Sequence, residues 1–284
     1  MEPLKRSSTT GAGYTPLNLA FLGLLSAAFG LFTSPIQAQP VDPAGIVQSF
    51  LPQEVELRTV ESADLNGDQT PEIVASYQLP PEQVIIVLQQ KDGHWEKVWE
   101  QKGPEEFTLS VNVVDLTGDG RPELLLDWIT SYMSGGNDLD VYGWRDDTLK
   151  KLASIGYHKL DWLPPKQGKR ALAVWQKDTG LAFIVKTLRL GEHGWVNADE
   201  EYAEYFREAV MPYYQQEVKA RPGARYNWYY LAEAQMKAQM PQEALQSIEK
   251  GLSLNLTYPE TFEFEQLKEQ ALQQLKNDHS KAGP

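Results

Sequence analysis

The stretch DLTGDGRPELLLDW, residues 115–128, crowds two aspartates, two glycines and a glutamate into nine residues and then turns apolar. Fifty-one residues earlier DLNGDQTPEIVASY, residues 64–77, does nearly the same. Counted from the first aspartate, Asp64, Asn66, Asp68, Thr70 and Glu72 fall at alternate positions of the first copy, and Asp115, Thr117, Asp119, Arg121 and Glu123 at those of the second. Side-chain oxygens so spaced on a tight loop can converge on one point, the fourth member of each set supplying its backbone carbonyl. A hard cation that wants six to eight oxygens at about 2.4 Å suits such a point, which means calcium. Gly67, Gly118 and Gly120 allow the positive φ that so tight a winding needs. The plainer alternative is a pair of turns, since Asn-Gly is a hairpin signal and Asp and Asn favour turns by bonding their own backbone.

Outward from the loops, apolar residues come in short bursts bounded by Gly, Pro, Asp and Asn: QVIIVLQQ (83–90), FTLSVNVV (107–114), ELLLDWI (123–129), LDVYGW (139–144), ALAVWQ (171–176) and LAFIVKTLRL (181–190). Phe107, Leu109, Val111 and Val113 fall on every second position, the period of a half-buried strand. Strands at this density from residue 55 to 197 predict an all-β assembly. A strand follows each acidic loop, and the twelfth position, where an EF-hand needs a bidentate glutamate, holds Ala75 or Leu126. The EF-hand is thereby excluded. A third unit is expected over about 160–198, where KLDWLPPKQGKRALAVW keeps an aspartate, a turn and an apolar strand but lacks the oxygens.

The pattern Asp-Leu-Asn/Thr-Gly-Asp, then Pro-Glu and a strand, resembles the calcium loops of FG-GAP and VCBS-type repeats, the units of integrin-like β-propellers. Over residues 55–198 this resemblance implies propeller-blade-like sheets in which structural calcium clips neighbouring strands together. The implied ligands are Asp64, Asn66, Asp68 and Glu72 in one loop and Asp115, Thr117, Asp119 and Glu123 in the other. Three blades fall short of the four or more of a closed propeller, which leaves an open fragment, an oligomeric ring or a different sheet packing.

After residue 198 the period changes. Tyr202, Phe206 and Val210 stand at fourfold spacing in ADEEYAEYFREAV (198–210), with Asn197 or Asp199 placed to cap the start and Pro212 to bend or end the helix. Further helices are predicted over about 226–239, 242–253 and 260–276, the last with Phe264, Leu267, Ala271 and Leu275 on one face, and residues 277–284 as a disordered tail. Residues 225–258 resemble a tetratricopeptide repeat: Trp228, Leu231, Ala232, Ala244, Ile248 and Gly251 fall where that family's characteristic residues belong, and Gln239 stands at its inter-helix glycine. The resemblance implies peptide or protein binding on a concave face; a helical pair covering the end of the sheets is the alternative. The expected fold class is a mostly β repeat domain, residues 39–198, followed by a small all-α domain, 199–276.

Residues 1–38 read as a signal peptide: Lys5 and Arg6, the uncharged run LAFLGLLSAAFGLF (19–32), then SPIQA ending at Ala38. A run of 14 apolar residues is short of the ~20 that span a bilayer, so no stable membrane anchor is expected. The expected location is secreted or periplasmic. The chain has no cysteine, so neither disulfides nor a lipid-bearing cysteine is available. Without Lys5, Arg6 and Glu2, 24 basic residues face 38 acidic ones, a net charge of −14 that makes nucleic acid a poor partner. The four histidines form no metal or catalytic pattern, and no nucleophile elbow or phosphate loop is present. The expected function is a non-catalytic, calcium-stabilised interaction protein with an unidentified protein or peptide partner. The alternative is a carbohydrate-binding or glycan-active protein using exposed tryptophans and loop carboxylates.

Overall fold

The computed structural model describes residues 42–104, 107–130 and 136–281. The expected signal segment lies outside these residues.

Among the described residues, twelve strands form three four-stranded antiparallel sheets, each a simple meander. The first runs β1 (Glu56–Ala63), β2 (Glu72–Leu79), β3 (Glu82–Lys91) and β4 (His94–Pro104). The second runs β5 (Phe107–Val114), β6 (Glu123–Thr130), β7 (Asn137–Arg145) and β8 (Thr148–Tyr157). The third runs β9 (Lys159–Lys166), β10 (Lys169–Lys177), β11 (Phe183–Gly191) and β12 (Gly194–Asn197). Mostly β structure followed by a helical segment is thus the architecture of the chain, and the third unit is a complete sheet. Its first turn differs from the expectation, because two residues, Gln167 and Gly168, replace the eight-residue acidic loop. Both have positive φ, 52° and 78°, as a tight hairpin between right-twisted strands requires.

The sheets are layered face to face, and strand alternation decides which residue enters which layer. On β2 and β3, Val74, Ile85 and Val87 join Leu124, Leu126 and Trp128 of β6 in the core between the first two sheets. The opposite faces, Ile73, Ala75, Tyr77, Val84, Ile86 and Leu88, are covered by Val47 of a short helix α1 (Pro43–Gln48). Leu125, Leu139 and Val141 of the second sheet meet Leu172, Val174 and Leu188 of the third. Central strands apolar on both faces are why QVIIVL and ELLL read as continuous runs rather than alternating ones. The strand β9 contains Pro164 and Pro165, which an edge strand tolerates because one of its sides needs no ladder bond.

The outer face of the third sheet is covered by the helical segment. A 3₁₀ turn (Asp199–Tyr202), a short α turn α2 (Ala203–Tyr205) and a π-helical turn (Phe206–Val210) lead into α3 (Met211–Ala220). Helices α4 (Arg225–Lys237), α5 (Pro241–Ser253) and α6 (Thr261–Lys281) follow. Trp175 and Val185 of the sheet share one core with Phe206, Val210, Tyr214, Tyr230 and Leu231. Phe264 seals α6 onto α4 and α5, and a methyl group added to Gly251 would lie 2.3 Å from its ring.

Three local expectations are corrected. Pro212 neither ends nor interrupts the helix: it enters the first turn of α3, where its missing N–H costs little, and the wider π turn just before it absorbs the irregularity. Asp199 does not cap the helix, because its carboxylate turns back to the sheet and accepts the Thr187 N–H at 2.6 Å and the Thr187 hydroxyl at 3.0 Å. The last helix continues through residues expected to be a disordered tail, as far as Lys281, while 282–284 lie outside the described residues.

Candidate functional site

The two acidic loops occupy identical places, residues 64–71 between β1 and β2 and 115–122 between β5 and β6. Each is anchored by its second residue. Leu65 and Leu116 are 1% exposed, driven into the cores between sheets. Once that leucine is buried, its N–H needs a partner inside, and the glutamate opening the next strand supplies one: Leu65 N–H donates to Glu72 Oε2 at 2.9 Å, and Leu116 N–H to Glu123 Oε2 at 2.8 Å.

The leading aspartates organise the winding. Asp64 Oδ1 accepts the Gly67 N–H at 2.7 Å and the Asp68 N–H at 3.1 Å, and its Oδ2 accepts the Gln69 N–H at 2.8 Å. Asp115 repeats this with the N–H groups of Gly118 at 2.6 Å and Gly120 at 3.0 Å. Asp68 Oδ1 takes the Thr70 N–H at 2.7 Å and Asp119 Oδ1 the Arg121 N–H at 2.9 Å. Gln69, the counterpart of Gly120 in the second loop, has φ 72°.

The loops differ in how positive charge reaches the carboxylates. In the first, the Asn66 carboxamide nitrogen donates to Asp68 Oδ2 at 3.0 Å and to Glu72 Oε1 at 2.7 Å, while its oxygen accepts the Asp68 N–H at 2.7 Å. In the second, the Arg121 guanidinium pairs with Asp119 Oδ2 at 2.9 Å. Thr117 Oγ1 is buried beside Asp119 without a hydrogen bond of ordinary geometry. Burial pushes the Glu123 carboxyl up to about 7, against the pull of the Leu116 N–H and with the added repulsion of Asp119 and Asp115. Burial likewise raises Glu72, with Asp68 and Asp64 adding to it. Asp119 lies below its ordinary value because the Arg121 N–H and guanidinium outweigh its partial burial.

The loops of successive sheets touch along one rim. The Arg121 stem crosses Gly67, where an added methyl group would come 2.9 Å from Cδ. Gly118 faces the Gly168 carbonyl, 2.6 Å from where a methyl would stand, and the Arg170 N–H donates to the Leu116 carbonyl at 3.0 Å. Between the first loop, Arg121 and the β7–β8 turn opens a cleft of about 660 Å³.

The expected ligand residues are therefore gathered loop by loop, with their carboxylates turned largely onto backbone N–H groups of their own loop. Among the described residues, no three Asp, Glu, His or Cys side chains form a group able to hold a metal ion by themselves. The set anticipated from sequence also draws on Asn66, Thr117 and backbone carbonyls. In the first loop the Asn66 carboxamide nitrogen, a partial positive charge, stands where Asp68 and Glu72 meet. Thr70 and Arg121, expected to offer carbonyls, also donate backbone N–H groups to the aspartates, and Arg121 brings a guanidinium as well. Sequence reasoning did not anticipate that Gln89, Arg145 and the β7–β8 turn line the cleft beside the first loop. The one signal available was Asp146-Asp147 after Trp144, a turn dipeptide closing an aromatic strand.

Of the tryptophans, Trp128 and Trp175 are buried and Trp162 is 46% exposed. Residues 64–126 match the FG-GAP-like repeat, a span that begins at the first acidic loop and takes in the whole of the second. No curated protein matches the chain.

Proposed function

We propose that this is an exported, non-catalytic interaction protein whose β repeats are fastened by calcium at the acidic loops, with protein or peptide partners as its ligands. The observation that carries the reading is the pair of equivalent loops, each folding a cluster of carboxylates onto the start of a buried strand. Asp64, Asn66, Asp68, Glu72 and the Thr70 carbonyl would hold the first ion. Asp115, Thr117, Asp119, Glu123 and the Arg121 carbonyl would hold the second. Calcium supplies countercharge to carboxylates that otherwise repel one another in one turn. Glu72 and Glu123 do the structural part, since each opens a strand in the middle of a sheet and holds the N–H of its loop's second residue. Arg121 already neutralises part of the second cluster, so the first loop is the tighter site. The FG-GAP-like match and the absence of cysteine support a metal in the fastening role that disulfides play in other exported proteins. Exposed Leu256, Tyr258 and Phe262 beside the tetratricopeptide-like pair α4 and α5 support a protein partner there.

Calorimetric titration of calcium into residues 39–284 tests the proposal. Two binding events are expected, Asp64→Ala removing the tighter and Asp115→Ala the weaker. At affinities of about 10⁻⁴ to 10⁻³ M, a tenfold excess of calcium over Kd adds about 1.4 kcal/mol per site, seen as a rise in Tm that chelator reverses. Absence of calcium heat, with Tm indifferent to chelator, overturns it.

A further inference from the structure

Where the helical segment leaves the third sheet, two clefts run together. One, of about 550 Å³, opens between the 3₁₀ turn (Asp199–Tyr202), the C-terminal end of α4 and the last turns of α6. The other, of about 430 Å³, lies at the corner from α4 into α5, again against α6. Gln239 and Asp278 line both, so the two form one groove. Each part is within the volume range of ligand clefts, roughly 300–1,000 Å³.

The two parts differ in chemistry. Glu200 and Asp278 stand exposed on the walls of the first, and Glu243 on those of the second; among the described residues none of the three is held in an ion pair. Lys237 is the one cation on these walls, and its charge is already met: the ammonium lies 3.3 Å from both Asp199 and Glu233 and donates to the Val185 carbonyl. The C-terminal end of α4, a helix of 13 residues, adds its negative pole to the first part. The second part is more apolar. Met240 and Pro241 turn the chain into α5, and Leu275 closes the corner from α6. Leu272, three residues before Leu275 and so its neighbour on the helix surface, is 42% exposed and continues the strip. Unpaired carboxylates favour a cation and disfavour an anion. A lone metal ion does not fit, since no three Asp, Glu, His or Cys side chains among the described residues form a group able to hold one. What fits is a cation joined to a bulky apolar group, as when lysine or arginine stands near leucine or an aromatic residue in one peptide.

We propose that this groove receives a short basic segment of a partner protein, one lysine or arginine pairing with Glu200 and Asp278 and a neighbouring bulky apolar side chain resting on Met240 and Leu275. The proposal rests on the reading of the chain as a protein-interaction protein and names the class of partner; it does not depend on calcium. It also separates two surfaces of the helical segment. The groove lies at the start of α5, whereas Leu256, Tyr258 and Phe262 follow its end, about 20 Å of helix away.

The test is a printed array of short peptides in which lysine or arginine is paired with leucine, phenylalanine or tryptophan, beside matched sets carrying glutamate for the basic residue or serine for the apolar one. Fluorescence anisotropy with the strongest basic binder follows, for the wild type and variants. The double variant Glu200→Lys/Asp278→Lys, which changes exposed side chains only, is expected to weaken binding at least tenfold and to gain the glutamate-bearing counterpart of the same peptide. Met240→Ser is expected to weaken it at least threefold. Glu249→Lys, a charge reversal on the exposed side of α5 outside the groove, leaves binding within twofold of wild type. The groove is overturned if the double variant binds the basic peptide as the wild type does, or if Glu249→Lys weakens binding as much as the double variant. Binding confined to acidic or serine-bearing peptides and lost on Phe262→Ser overturns the groove and leaves a protein-interaction role standing. An array on which no peptide binds counts against both.

Discussion

Glu123 shows how one buried carboxyl couples loop geometry to pH. Its carboxyl is raised from an ordinary 4.5 to about 7. A raised acid holds its proton in the folded chain where the unfolded chain has lost it, so in calcium-free protein stability increases as pH falls from about 7 to 4.5. Glu123→Gln keeps an acceptor for the Leu116 N–H but removes the ionisation. Urea midpoints taken with chelator between pH 7.5 and 5.5 are expected to rise toward acid in the wild type, by on the order of 2 kcal/mol, and to change much less in the variant. A variant that keeps the full slope would place the titration elsewhere. Residue spacing made the acidic members of the site readable, because oxygens at alternate positions are a chemical pattern. It did not make Gln89 readable: nothing in VLQQ marks which glutamine will be drawn into a cleft, since that depends on which face of β3 meets the next sheet. The partnership of Arg121 with Asp119 was equally hidden, because a side chain long enough to fold back leaves no periodic trace.

Lys237 of α4 joins the helical segment to the third sheet. Its ammonium donates to the Val185 carbonyl at 2.6 Å, lies 3.3 Å from both Asp199 Oδ2 and Glu233 Oε1, and sits 5.2 Å from the centre of the Phe206 ring. Asp199 is 9% exposed and has already turned its other oxygen to Thr187. Lys237→Met therefore leaves the Val185 carbonyl without the ammonium and the buried Asp199 carboxylate without its countercharge, Asn197 Nδ2 alone still donating to that oxygen at 2.9 Å, and a cost of about 2–3 kcal/mol is expected in urea unfolding. A double-mutant cycle with Asp199→Asn should return a coupling of at least about 1 kcal/mol; additivity would dismiss the link. Periodicity located most elements well, since strands and helices with one buried face carry a repeating pattern. It failed at junctions. Asp199 has the composition of a cap, yet a buried backbone N–H on a neighbouring strand outbid the helix end for its carboxylate. Pro212 has the composition of a stop, yet the π turn ahead of it let the chain continue. At Gln239 the tetratricopeptide-like pattern lacks its glycine, and the chain still adopts φ 61° there, the conformation that the glycine would ease.

Across the whole described chain, each core lies between sequence neighbours: α1 on the first sheet, the first on the second, the second on the third, and the helices on the third. A chain ending at residue 198 would uncover Trp175, Ala182, Val185 and Leu163 at once. It is expected to aggregate or to bind the dye ANS strongly, whereas the full chain does neither. A soluble monomer with one cooperative transition would show that the helical cover is dispensable. Layer order was only partly readable from sequence. The FG-GAP-like pattern implied repeated sheets, but which faces meet depends on long-range packing that no local motif encodes. The recurrence of one loop at a 51-residue interval also bears on how such a chain can change its length. A tandem copy of one meander brings its own two faces and its own acidic loop, so unequal crossing-over could splice it between existing layers without parting any strand from its partner. The two-residue Gln167-Gly168 turn shows that a sheet of the same strand order stands without the acidic loop.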